Sequence, residues 1–315
     1  MKILITGVHG FVGSNLVAAL SKEHEIFGLD IIAPEKEGVV KTYSWDDLDA
    51  DSVADVDAIV HLAGKAHDTK NQAAAEVYFK VNRDLTIKMF DYFAAHTSIK
   101  KFVFFSTAKA AADKVDGVLT EGVVPAPVGP YGESKIAAEQ YILNTMSLRP
   151  DEFGDKGVYI FRPCMIHGPG NKGNLNLLYN VVKKGIPWPL GAFENRRTFT
   201  SVGNICFAVN GVLMQDVPSG IYNMGDDEAL STNELIEEIC KSLGKKAHIW
   251  KLPKGLMNGL AKVGGWLHLP LNPERLRKLT ENYVSSNAKI KKALGVEKMP
   301  VDARDGLKVT LDSFK

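Results

Sequence analysis

Tyr131 and Lys135 stand four residues apart in YGESK, a spacing that puts both on one face of a helix. An ammonium beside a phenol favours the phenolate and draws a pKa of about 10 toward neutrality. Such a tyrosine can exchange a proton with a sugar hydroxyl or a ketone. The same spacing recurs at Tyr179 and Lys183, which reads as an ordinary helix-surface pair, so spacing alone does not choose between them. Position does. Tyr131 follows the apolar run FVFFST, whose Ser106 and Thr107 would end at the carboxyl edge of a parallel sheet, where ligands of such sheets bind.

A second constellation could hold a phosphate. Thr6 is followed by Gly7, Gly10 and Gly13, with Phe11 and Val12 between, directly after the apolar run Ile3–Ile5. A tight strand-to-helix turn favours Gly7, close approach of a pyrophosphate favours Gly10, and close helix–sheet packing favours Gly13. The helix N-terminus would then face the phosphates. Asp30 ends the next apolar run, IFGLD, where a carboxylate can accept hydrogen bonds from both adenosine ribose hydroxyls and repel a 2′-phosphate. This favours NAD, while Lys36 and Lys41 leave NADP as an alternative. In DAIVHLAG, the small pair Ala63-Gly64 after Leu62 keeps the wall beside a cofactor low.

The elements that must position these residues alternate. Strands are expected at Lys2–Thr6, Glu25–Leu29, Ala58–Leu62, Lys101–Ser106 and Val158–Phe161. Helices are expected at Phe11–Leu20, Ala73–Ala95 and Tyr131–Met146. Strand and helix taking turns implies right-handed βαβ units, and the continuously apolar strands imply helices on both faces. The expected fold is α/β, a Rossmann-type doubly wound parallel sheet with a smaller C-terminal α+β substrate domain. Its boundaries fall at 1–165 and 166–315, with a segment near 200–225 returning to the first domain. Ser231 and Glu234 form a capping box before LIEEICKSLG. The apolar, glycine-rich stretch Gly255–Leu271 reads as a capping helix of the second domain, with a membrane-surface element as the other reading.

Composition excludes several classes. A net charge of +1 argues against nucleic acid or an anionic membrane as the dominant electrostatic partner. No apolar stretch is long enough for a membrane span, and no signal-type apolar region follows Lys2. Cys164, Cys206 and Cys240 have no metal spacing, so no metal is expected, and their odd number is not a disulfide framework. A reducing cytoplasm is the simplest setting.

Together TGVHGFVG, Asp30, DAIVHLAG, VNRDLT around Asn82, FFST and YGESK resemble the extended short-chain dehydrogenase/reductase family, and within it the UDP-glucose 4-epimerase-like nucleotide-sugar epimerase/dehydratase branch. The likeness covers about residues 1–225 well and the remainder more loosely. It implies that Thr107 bonds the reacting sugar oxygen, Tyr131 transfers the proton, and Lys135 also holds the nicotinamide ribose. Gly7, Gly10, Phe11, Val12, Gly13, Asp30, Ile31, Leu62, Ala63, Gly64, Asn82, Ser106 and Pro163 would line the cofactor, with Asn82 on the nicotinamide side. Asn174 and Arg197 would bind the diphosphate of a nucleotide-diphosphate sugar, and the protein would be a homodimer.

The sequence departs from the pattern in three places. Ala108-Lys109 stands where the 4,6-dehydratases carry an Asp-Glu pair, which argues against water elimination. Ala110-Ala111-Ala112 and Met165 also alter the sugar pocket. The first expectation is therefore a nucleotide-sugar 4-epimerase. The alternatives are a reductase of nucleotide-linked 4-keto-6-deoxy sugars and a non-catalytic dinucleotide sensor.

Overall fold

The computed structural model describes residues 1–65, 74–267 and 271–315. Seven strands build the main sheet: β1 (Lys2–Thr6), β2 (Glu25–Leu29), β3 (Lys41–Tyr43), β4 (Ala58–His61), β5 (Lys101–Phe105), β6 (Gly157–Pro163) and β7 (Gly220–Met224). Their order is β7-β6-β5-β4-β1-β2-β3, and every pair is parallel. The winding reverses beside β1, which lies between β4 and β2. The carboxyl ends on either side of that reversal form the crevice in which doubly wound sheets hold ligands.

The strand interiors are mostly apolar because both faces are covered, with His61, Arg162 and Asn223 as buried polar exceptions. On one face lie α1 (Phe11–Leu20) and a long-range partner, the helix Val202–Met214, which bring Leu16, Val17, Ala208, Val209 and Val212 onto Ile3, Ile5 and Val60. On the other, Leu85–Ala95 and Pro130–Leu148 set Phe90, Phe93, Ala138 and Ile142 against Leu4, Ile59 and Phe102. The expected helix over 73–95 is made of Ala75–Tyr78, a π-helical turn Phe79–Asp84 and Leu85–Ala95; Ala73 lies outside the described residues. A third core gathers Leu175, Tyr179, Trp188, Leu235, Ile239 and Leu307 from the C-terminal half. Two short parallel pairs, Met165–His167 with Phe199–Ser201 and Val118–Leu119 with Val284–Ser285, tie that half to the sheet edge. The capping box at Ser231 and Glu234 is present at the start of Thr232–Ser242.

Tyr179 is not on a helix surface, as its spacing with Lys183 suggested. Its ring is buried against Phe314, and its hydroxyl has no partner among the described residues. The amphipathic helix Asn174–Lys183 turns that side inward, and Lys183 stays outside with its ammonium 5.8 Å over the ring.

Candidate active site

Gly7 leaves β1 at φ +68°, in the left-handed region, and a Cβ there would lie 3.1 Å from the Ala63 backbone nitrogen. A Cβ on Gly13 would run into the carbonyl oxygen of Gly7, so the first turn of α1 can close onto the loop only without one. Gly10 caps α1 with no side chain. The N–H groups of Phe11, Val12 and Gly13 therefore keep no side-chain cap and stand as donors at the positive end of the helix.

Two backbone N–H groups, from His9 at 3.1 Å and Ile31 at 2.7 Å, fix the carboxylate of Asp30 beside this loop. Ile31 projects next to it with 87% of its surface exposed. Lys36 reaches back to donate to Ser14 Oγ at 2.8 Å, which sets one cation over the start of α1.

Behind the loop runs a directed chain of hydrogen bonds. Thr6 Oγ1 accepts from the N–H groups of Leu62 at 3.1 Å and Ala63 at 2.9 Å. Its own proton therefore points to His61 Nδ1, 2.8 Å away. With Nδ1 accepting, the ring hydrogen sits on Nε2 and is donated to Thr86 Oγ1 at 3.0 Å. Thr86 donates in turn to the carbonyl of Asn82 at 2.7 Å. Burial, with the charge of Lys135 adding to it, holds the His61 pKa down at about 3, so the ring is neutral.

Asn82, in the π-helical turn, clamps Lys65: Oδ1 accepts from its N–H at 2.7 Å, and Nδ2 donates to its carbonyl at 3.1 Å and to Ser134 Oγ at 3.0 Å. Both ends of the amide are thus committed inside the protein. Ser134 donates to the carbonyl of Tyr131 at 2.9 Å.

Tyr131 enters the site from the first turn of Pro130–Leu148. Its phenol hydrogen-bonds Thr107, and the ring meets the edge of Tyr78 with centroids 6.4 Å apart. Burial pushes the phenol above its usual range, the Thr107 bond works against that rise, and Tyr78 adds to it. The expected depression by Lys135 is absent: the phenol is raised, and Lys135 takes no part in the shift. Lys135 turns its ammonium to the carbonyl of Phe105 at 2.8 Å and lies over the Phe104 ring. Burial brings Lys135 down to about 8, against the opposing charge of Glu139. Thr107 accepts from the Lys109 N–H at 3.3 Å, which fixes the hydroxyl at the head of a short turn. A Cβ on Gly64 would come within 3.0 Å of Asn82 Oδ1 and 3.1 Å of Lys135 Nζ, so this residue keeps the space between them clear.

Under the site lies a pair that neither motif announced. Glu139, one turn past Lys135, accepts from Arg162 Nε at 3.0 Å and Nη2 at 2.5 Å, and also from Ser106 Oγ. Both side chains are buried, and Arg162 Nη1 has no partner among the described residues. A charged residue inside the apolar run YIFRP was the available signal.

On the far side of the edge, Cys164 follows Pro163, its thiol pushed up to about 12 by burial. Arg197 donates to the Lys278 carbonyl; burial lowers its pKa, and Glu281 opposes the shift. Lys109 at 3.2 Å and Arg277 at 3.1 Å share the carboxylate of Asp113. Asn174 is exposed at the start of its helix, with no protein hydrogen bond to its side chain among the described residues.

A parallel sheet wound this way, with a tyrosine, a lysine and a threonine meeting at its carboxyl edge beside a glycine loop, is that of the extended short-chain dehydrogenases/reductases. A model of the NAD dependent epimerase/dehydratase family matches residues 3–225, and the chain belongs to that family. It is accordingly an enzyme, and the non-catalytic sensor drops out. It is 30% identical to UDP-glucose 4-epimerase of Vibrio cholerae over 80% of this chain and 78% of that protein. It is 27% identical to N-acetyl-alpha-D-glucosaminyl-diphospho-ditrans,octacis-undecaprenol 4-epimerase of Escherichia coli O157:H7, over 92% and 84%. UDP-glucuronic acid 4-epimerase from Bacillus cereus, solved in complex with NAD, superposes with a TM-score of 0.75 at 21% identity, covering 100% of this chain and 98% of that one.

Proposed function

We propose that this enzyme is an NAD-dependent nucleotide-sugar 4-epimerase acting on a UDP-hexose. The observation that carries the reading is the bond between Tyr131 and Thr107, with Lys135 one turn away, at the carboxyl edge of the sheet. The uncapped first turn of α1 and the fixed Asp30 carboxylate suit a pyrophosphate and an adenosine ribose. Phe11, Val12 and Gly13 would meet the phosphates, Asp30 and Ile31 the adenosine, and Lys135 the nicotinamide ribose. When bound, the dinucleotide supplies a reversible hydride acceptor.

The chain's own residues handle the proton. Thr107 orients the C4 oxygen, and Tyr131 takes its proton when the hydroxyl is oxidised and returns it when the ketone is reduced. Lys135, once its ammonium swings from the Phe105 carbonyl toward the phenol, lowers the cost of the phenolate. We assign Arg197, with the Lys109–Asp113–Arg277 group, to the diphosphate of the sugar nucleotide. Ala108-Lys109 leaves no acid–base pair there for dehydration.

A second reading, a reductase of a nucleotide-linked 4-keto-6-deoxy sugar, is favoured by one observation. Burial raises the phenol, which favours proton donation to a ketone over proton removal from a hydroxyl. Incubation with UDP-glucose and trace NAD separates the two. Interconversion with UDP-galactose and no lasting NADH absorbance supports the epimerase. Stoichiometric NADH consumption by a 4-keto-6-deoxy sugar nucleotide, with inert UDP-hexoses, replaces it by the reductase.

A further inference from the structure

The helix Lys254–Trp266, with Leu267 at its end, buries one side through Met257 and Ala261. A neighbouring side is apolar and open. Leu256, Leu260, Val263 and Leu267 recur at i, i+4, i+7 and i+11, and each is about half exposed, at 49–52%. Trp266 flanks them with 80% of its surface exposed. Isolated exposed apolar residues need no explanation, but a continuous stripe of this kind marks a contact surface. Gly255 and Gly259 lie in the same helix, and a Cβ on either would meet nothing within 4 Å, so no packing in the chain requires them.

Charge identifies the partner. From Ile239 to Pro273 the sequence holds six lysines and no aspartate or glutamate, in a chain whose net charge is only +1. Lys246, Lys251 and Lys262 are exposed and make no ion pair among the described residues. A second copy of the same segment, 239–273, would bring like charges together. An anionic lipid surface would meet lysines with phosphates, the apolar stripe with acyl chains, and an indole with the interface that indoles prefer. No described helix is long and apolar enough to cross a membrane, so this helix would lie along the surface.

We propose that the exposed face of Lys254–Trp266 docks this enzyme on an anionic phospholipid bilayer. The inference does not depend on which sugar is turned over.

The test is sedimentation of the purified full chain with vesicles of phosphatidylcholine alone, or with about one-third phosphatidylglycerol. Binding to the anionic vesicles should exceed that to neutral ones by about tenfold and be lost in high salt. Tryptophan emission should shift to the blue on binding, and Trp266→Phe should remove the shift. Leu260→Gln with Val263→Gln should lower binding by about tenfold, as should Lys251→Glu with Lys262→Glu, a pair that leaves the apolar stripe intact. In every variant NAD binding, measured separately, should be unchanged. The proposal is overturned by equal binding to both vesicle types, or by binding that survives both double substitutions. It is also overturned if the Leu260/Val263 variant changes the oligomeric state while the parent ignores vesicles, since the occupant is then a second copy.

Discussion

Thr6 gives its hydroxyl proton to His61 Nδ1, 2.8 Å away, because its oxygen already receives the N–H groups of Leu62 and Ala63. One side chain at the end of β1 thereby sets the tautomer of another at the end of β4. Nitrogen NMR of His61 should show a hydrogen-bearing Nε2 and a bare Nδ1. A hydrogen on Nδ1, or an averaged ring, contradicts the chain of donors. Thr6→Val should release the ring to average.

The same histidine makes stability depend on pH. Its folded pKa of about 3 lies below the ordinary 6.5, so between these values the unfolded chain binds the extra proton. Stability therefore rises with pH across that window and is lost as pH falls through it. The contribution is at most roughly 5 kcal/mol, because each tenfold change in proton affinity is worth about 1.4 kcal/mol. Denaturant titrations of His61→Gln should give a flatter acid limb than the parent; an identical slope would sink the assignment.

Tyr131→Phe should lower turnover by about 100-fold or more while NAD affinity stays within about twofold, since only the proton carrier is removed. Tyr179→Phe is the matched control. Because the Tyr179 hydroxyl is buried without a partner among the described residues, its removal should leave activity alone and hold or raise stability, by about 1 kcal/mol at most. Steady-state kinetics and urea melts read both effects, and a fully active Tyr131 variant removes the proposed mechanism.

Arg162→Met leaves the buried Glu139 carboxylate without its guanidinium and should cost about 3–5 kcal/mol. Adding Glu139→Gln should recover part of that loss, since the uncompensated charge disappears. Urea denaturation of the two single variants and the double closes the cycle. Strict additivity would mean the pair is not coupled.

Asp30→Ala should weaken NAD about tenfold and NADP less, because ribose contacts and repulsion of a 2′-phosphate vanish together. Lys36, already at Ser14, is placed to take the phosphate in their stead. Fluorescence titration with both cofactors measures the ratio, and an unchanged preference would place the ribose elsewhere.

The periodicity of the strands and the glycines at 7, 10 and 13 made the main sheet legible, because a doubly covered strand and a tight strand-to-helix turn each demand particular residue types. The Tyr131–Lys135 pair was legible by position. Its electrostatics were not: spacing cannot tell that burial dominates the phenol, or that the lysine turns to the Phe105 carbonyl. The family resemblance implies that Asn82 packs on the nicotinamide side; that its amide is spent on Lys65 and Ser134 was not legible. Tyr179 lies inside because it shares the apolar side of its helix with Leu175 and Val182, a pattern that the Tyr-x-x-x-Lys spacing does not report. The Thr6–His61–Thr86 chain and the Glu139–Arg162 pair join residues far apart in sequence, and pair geometry of that kind leaves no periodic trace.

The inner face of α1 rests on the helix Val202–Met214, through Leu16 and Val17 against Ala208, Val209 and Val212. On a ribosome adding roughly 5–20 residues per second, the first helix exists for on the order of ten to forty seconds before its cover is made. The glycine loop cannot be held rigid during that interval, and its apolar backing is open to non-native partners. Loop closure across most of the chain must precede the reward of that packing, which makes it a slow, late step. Truncation before residue 202 should therefore yield an aggregation-prone chain even though every residue of the glycine loop, Asp30, Tyr131 and Lys135 is present.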